Sequence, residues 1–498
     1  MRRGTRSQTR EGKKRKFDAL VEVSKITLET LEENSKLMRG NPQNVLMADI
    51  LGTMSLDSLA LKNSATLENN WDYNVKLKET PKPVDQERTG TCYVQAYLNC
   101  LRYKLLSKFK LEDKFELSTP YLFFYDKIER ANLFLENMWK MRDKDFQDHS
   151  VRIFTDPSNH LLLDGGEFSF ASSLAAKYGI LPKNVYAGGY NSKTSCYMND
   201  TLIFVLNHMA LEIFRNKEWN RVTFEGKKAE YNKKIYELVV KFLGEPIKPT
   251  DKFTWTYKNK DGKTISKPNM TAMKLYSLCD WKDEDKFILI HDPRHPETYY
   301  FPSYSEYATG MVESLPPTMI NMPMEDIKKF IYHSLKDGSP VWMACDMGKY
   351  LDEDANTSDL NRFGYSQVLN IDMNKSKADE LDALTSTANH AMLFNGVDVE
   401  KNRSGEVVGY KKWRIMNSWD DSGDDDDSFD SGYHRMLDSY VDKYLYMAVI
   451  DGQYLGGDVV RKILNNCRQL PPFIYKSTDV FASQSLRSPC RCCSKNKK

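Results

Sequence analysis

The sequence predicts an α+β chain, helical in its first half and β-rich toward its end. Two long runs near the front, 92–109 and 119–138, carry apolar residues at helical spacing, and the first holds neither Gly nor Pro. Three runs from residue 390 onward are instead dense in Val, Ile, Tyr, Phe and Met and are parted by turn residues, the pattern of strands. The chain has 498 residues, 41% of them hydrophobic and 28% charged. That apolar mass suffices for a large core and excludes a disordered chain or a disulfide-stapled miniprotein.

The elements follow in order. Residues 17–39 show helical spacing that stops at Gly40 and Pro42. Pro81 and Pro83 make 71–85 an extended approach to Gly90 and Thr91, which precede the helix of 92–109. The next helix, 119–138, takes Thr119 as its N-cap and Pro120 at its first position. Asp164-Gly165-Gly166 marks a turn, and the helix of 167–178 behind it stops at Gly179. Between 197 and 360, helical stretches (201–216, 228–243, 324–336) alternate with short strand-like pieces (253–257, 287–290). Strands then cover 390–399, 408–417 and 444–450. No repeat of solenoid or propeller period is present.

Formal charge is +2, but unevenly spread. Residues 1–16 hold eight basic residues and one acid, and residues 487–498 hold five basic residues and no acid. Taking +7 and +5 from +2 leaves a body at −10. Both basic ends lack periodic apolar residues and read as solvated tails, with a weak polyanion or nucleic-acid contact as the sharper alternative. No apolar segment follows the N-terminal charges, and no run near 18 apolar residues occurs, so neither a secretory signal nor a membrane span is expected. Nine cysteines, an odd number and mostly scattered, fit a reducing, cytoplasmic setting. Cys490, Cys492 and Cys493 crowd the basic tail without a fourth metal ligand nearby and read as unpaired thiols. His291 and His295 are parted by Pro293, which breaks a helical pair of ligands, and the acidic run 420–427 lacks the alternating ligands of an EF-hand. No metal or cofactor is expected.

Three residues carry the clearest chemistry. Cys92 starts a long helix, where the dipole and free N–H groups favour a thiolate. His390 opens a strand and supplies an imidazole that can take and return a proton. Asn417 ends a strand, where its amide oxygen can accept an imidazole N–H. Gln86, six residues before Cys92, can donate to an oxyanion together with the Cys92 N–H. A single Cys at a helix start is more often structural.

The order of these residues, ending in Asn417-Ser418-Trp419, resembles the papain-like cysteine peptidases, a Cys-His-Asn variant of the convergent triads. The likeness is closer to the bleomycin hydrolase and aminopeptidase C family. The similar stretches are Tyr121–Arg130, Asp164–Gly166, Lys177–Lys183, Met198–Asp200, Phe253–Tyr257, His291–Arg294, Asp337–Lys349, His390–Met392 and Trp413–Trp419. The resemblance spans about 70–473. It implies a papain-like fold, a helical subdomain plus a barrel-like β subdomain, in one domain over 17–473. The nucleophile helix would be 92–109, mainly helical insertions about 195–375, and the His/Asn part about 385–452. It implies peptide substrates, removal of N-terminal residues, and a homohexamer with active sites on an inner channel. Cys92 would be the nucleophile, His390 the base and acid, Asn417 its orienting partner, Gln86 the oxyanion donor, and Trp419 a shield over the His–Asn contact.

The sequence also departs from the family. Gly-Arg-Cys-Trp becomes Gly90-Thr91-Cys92-Tyr93, the Gly after Asn-Ser-Trp becomes Asp420, and Glu167 stands where the family often has Gln. Family chains end soon after a Leu-Pro segment, with the terminal carboxylate in the cleft. Here a basic, Cys-rich extension, 474–498, follows Leu470-Pro471-Pro472, so hydrolysis is expected more firmly than the exopeptidase mode. Two alternatives stand beside it: a catalytically silent binding or scaffold protein, and a Cys-His acyl transferase.

Overall fold

The computed structural model describes residues 25–62, 70–304, 309–315, 317–419, 432–460 and 468–469. The basic stretches 1–16 and 474–498 and the acidic run 420–427 lie outside them. The chain forms two compact units, one of Met1–Thr66 with Asn361–Asn374 and one of Leu67–Leu360 with Lys375–Lys498.

Of the helix expected over 17–39, residues 17–24 lie outside the described residues; in the smaller unit the described part forms Leu28–Gly40, capped by the Thr27 hydroxyl. A second helix, Pro42–Leu51, follows Asn41, whose side chain accepts the N–H groups of Gln43 and Asn44. Neither helix buries a residue. Ile26, Leu28 and Leu37 are 74–79% exposed.

In the larger unit, helix α1 (Cys92–Phe109) has the predicted bounds and buries most of its residues all round. Leu98, Leu101, Leu105 and Leu106 are at most 2% exposed, each contributing about 1.5–3 kcal/mol of apolar burial. The helix ends where Lys110 turns left-handed at φ 49°. Helix α2 (Thr119–Met141) is capped by Ser118, not Thr119: the Ser118 hydroxyl accepts the Tyr121 N–H at 3.2 Å. Pro120 therefore takes the second helical position. Helix α3 (Phe168–Tyr178) stops at Gly179, φ 74°, where a Cβ would meet the Ala272 carbonyl carbon at 2.2 Å. Helices α4 (Cys196–Arg215) and α5 (Arg221–Leu243) pack with the outer face of α2 around a second apolar core that includes Phe134, Leu206 and Phe224. Helix α6 (Met324–Lys336) has the predicted bounds.

The main sheet is built from β1 (Lys286–Ile290), β2 (Thr318–Asn321), β3 (Val341–Cys345), β4 (His390–Lys401), β5 (Val407–Met416), β6 (Tyr433–Leu437) and β7 (Leu445–Asp451). Their order is β2-β1-β7-β3-β4-β5-β6, with short two- and three-residue pieces at both edges. Strands β2, β3 and β6 were not read from the sequence. The β region is thus not confined to the chain's end. Strand β3, from the middle of the chain, sits at the sheet's centre between β4 and β7, antiparallel to both. Its register pairs His390 with Cys345 and Ala391 with Ala344. Helix α1 packs against β4, which brings the first residue of one close to the first residue of the other.

Candidate active site

Cys92 is the first residue of α1 and is 4% exposed. Burial pushes its thiol up to about 11; the backbone N–H groups of Ala391 and Tyr93 pull it down, and the charge of Asp164 raises it. Burial thus opposes the thiolate that the helix start favours. The contact with Ala391 sets the sulfur beside the residue that follows His390.

His390 opens β4 and is 4% exposed. Its Nε2 lies 2.8 Å from Asn417 Oδ1. That oxygen also accepts the Ser418 N–H at 2.8 Å, which fixes which end of the amide faces the ring. An amide oxygen accepts only, so Nε2 carries the hydrogen and a neutral ring keeps its lone pair on Nδ1. Trp419 stacks on the imidazole, centroids 4.4 Å apart at 24°. A second buried histidine, His434 on β6, is held near 3 by burial and the charges of Arg435 and His390, and pairs with the Ser358 hydroxyl at 2.9 Å. It stays neutral and adds no charge beside His390.

Gln86 is tied to the same corner. Its Oε1 accepts the Ser418 hydroxyl at 2.6 Å and its backbone N–H donates to Ser418 O at 2.9 Å. One hydrogen of its Nε2 goes to Thr89 O at 2.9 Å, and an amide NH₂ has a second to give.

The loop before Cys92 is held by residues to which the sequence assigned no role at the site. Asp164 Oδ2 accepts the Gly90 N–H at 2.9 Å and the Ser195 hydroxyl, while Oδ1 accepts from Asn199 Nδ2 at 2.7 Å and Lys127 Nζ at 3.0 Å. Burial raises the Asp164 carboxyl, yet Lys127 and these donors together hold it below the usual carboxylate range. Gly165 N–H returns a bond to Gly90 O at 2.9 Å. A Cβ on Gly90 would lie 2.4 Å from Asp164 Cβ, so only glycine allows this approach. Tyr93, fully buried, accepts at its hydroxyl oxygen from Arg130 Nη2 at 3.1 Å. The phenol that replaces the family's indole thus has a polar partner.

His291 and His295 do not converge: His291 Nδ1 faces Lys377 Nζ at 2.8 Å and His295 Nδ1 faces Glu297 at 3.3 Å. Among the described residues no group of three or more His, Cys, Asp or Glu is placed to hold a metal, and no helix is long and apolar enough to cross a membrane. Cys92, Cys100, Cys279 and Cys345 are buried free thiols; Cys467, Cys490, Cys492 and Cys493 lie outside the described residues.

The chain is 30% identical over 438 residues to an aminopeptidase C of Lactobacillus delbrueckii subsp. lactis, covering 87% of this chain and 93% of that one. It is 29% identical to human bleomycin hydrolase over 439 residues, 85% and 92% of the two chains. Among solved structures, PepW of Lactobacillus rhamnosis superposes with a TM-score of 0.81 at 25% identity, covering 90% of this chain and 98% of that one. The fold is accordingly papain-like. The Peptidase C1-like family model matches residues 25–474, a span that contains α1, the whole main sheet and every residue of the corner just described, and the chain belongs to that family.

Proposed function

We propose that this protein is a cysteine peptidase of the bleomycin hydrolase type that hydrolyses peptide bonds through Cys92, His390, Asn417 and Gln86, with an aminopeptidase mode that residues 474–498 weaken. The observation that carries this reading is the His390–Asn417 hydrogen bond under Trp419, at the strand end that faces the start of α1. With Nε2 committed to Asn417, Nδ1 takes the Cys92 proton as sulfur attacks the scissile carbonyl. The enclosed thiol ionises by this transfer and not by release to water. The Cys92 N–H and the second Gln86 amide hydrogen stabilise the oxyanion. The imidazolium then protonates the leaving amine. Nδ1 next removes a proton from water, which cleaves the thioester and returns the free enzyme.

Removing the oxyanion donor, Gln86→Ala, is expected to lower kcat about 10²–10³-fold with a much smaller change in KM, as initial-rate kinetics on a fluorogenic aminoacyl substrate would show. The exopeptidase mode is tested by comparing the full chain with one lacking residues 474–498 on free-amine and N-blocked substrates. The expected result is weak amine preference in the full chain and strong preference after truncation. Equal, strong preference in both forms would refute a role for the extension.

The apolar side chains exposed on Leu28–Gly40 support a homo-oligomer, a hexamer by family likeness. Sedimentation velocity should show a single large species, and Leu28→Glu with Leu37→Glu should shift it toward smaller ones.

A further inference from the structure

We propose that Glu167 is a positioning residue that works only as a neutral carboxyl: uncharged, it leaves all five N–H groups of Arg130 where they hold the loop and helix start that carry Cys92. The proposal rests on the peptidase reading above.

Glu167 directly follows Gly166 and precedes the first residue of α3. It is 1% exposed, and neither of its carboxyl oxygens has a hydrogen-bond partner. An ionised carboxylate in that state is among the costliest groups a fold can bury, and a protonated one costs far less. The cation that acts on it is Arg130, from α2. That guanidinium has nothing to spare. Its Nε donates to Asp126 Oδ1 at 2.8 Å. Its Nη1 donates to Leu161 O at 3.2 Å and Leu163 O at 3.4 Å. Its Nη2 donates to the Tyr93 hydroxyl at 3.1 Å and Gly165 O at 2.6 Å. A guanidinium offers five N–H donors, and all five are used. The other charges of the cluster are also matched: Asp126 to Arg130, and Lys127 to Asp164. Burial accordingly pushes Glu167 up to about 8, against a partial pull from Arg130.

Two Arg130 partners set the nucleophile. Tyr93 is the residue after Cys92, and Gly165 bonds Gly90, two residues before it. Were Glu167 to ionise, its oxygens would compete for the guanidinium that holds both. The loop would loosen while every catalytic group stayed chemically intact.

The test is the pH dependence of wild type and Glu167→Gln, which is neutral throughout. Wild-type kcat/KM is expected to fall about tenfold between pH 7 and 9, as a group titrating near 8 must, while the Gln variant holds its rate over that range. Melting temperature reports the same group without activity. The folded state keeps a proton that the unfolded chain loses at ordinary carboxylate pH. Its stabilisation is therefore present in acid and lost as pH rises toward about 8. Wild-type Tm should fall relative to the Gln variant across that window. If the variant does not fold, infrared difference spectra of the wild type must show a protonated carboxyl band that disappears between pH 7 and 9. Active enzymes with superimposable rate and Tm profiles, or no such band, would overturn this proposal alone. Failure of both proteins to cleave any peptide would overturn the peptidase reading and this proposal with it.

Discussion

Replacing Cys92 by alanine is expected to reduce peptide hydrolysis at least about 10⁴-fold, by the scale of nucleophile deletions in other triad enzymes, and to leave the fold intact. Cys92 is enclosed by its own helix and by β4, and alanine removes only one sulfur atom from that space, so Tm should move little. The variant should also lose the labelling that a thiol-directed epoxide gives at position 92, read by peptide mapping. Cys100, Cys279 and Cys345, also buried, are pushed up by burial and are poor competitors for the reagent. A Cys92→Ala protein that kept its rate would end the proposed mechanism. Wild-type protein that was never labelled at Cys92 would favour the silent alternative. Transfer of the acyl group to added amines in preference to water would favour the transferase.

The second large effect concerns stability. Arg130→Met should destabilise the larger unit by about 3–5 kcal/mol, the range for breaking a buried ion pair from one side. Arg130 is 0% and Asp126 2% exposed in their pair at 2.8 Å. The methionine fills space but leaves the Asp126 carboxylate, the Tyr93 hydroxyl and the Leu161, Leu163 and Gly165 carbonyls without their donor. Arg130→Lys should recover only part of the loss, since an ammonium cannot reproduce a planar fork to three sides. Denaturant titration followed by tryptophan fluorescence would measure both. A midpoint unchanged in Arg130→Met would mean that the guanidinium does not hold this loop.

Much of the helical framework was legible because its signals are local. The Gly- and Pro-free run from Cys92 and the stretch Met324–Lys336 declare themselves by spacing and by the residues that bound them. Strand β3 was not legible. It is buried on both faces, so it shows no alternation, and five apolar residues suit a helix as well as a strand. Strand β6 hides for the opposite reason: His434 and Arg435 are polar, and it takes partners such as Ser358 and Thr357 to permit their burial. Cys92, His390 and Asn417 could be named from residue type and setting, and the resemblance supplied their roles. The ring of Asp126, Arg130, Asp164 and Glu167 could not be named. Charges in a sequence look solvated, and nothing local reveals that four of them share one dry corner.

The position of β3 has a consequence for how the protein comes into being. The strand that seats His390 pairs with a strand from mid-chain, and 298 positions separate Cys92 from His390. At about 5–20 residues per second of synthesis, the nucleophile leaves the ribosome roughly 15–60 seconds before its base. The nascent chain therefore carries an unassisted thiol for most of its translation, and a protease that acts on peptides acquires its activity only when nearly all of it has been made.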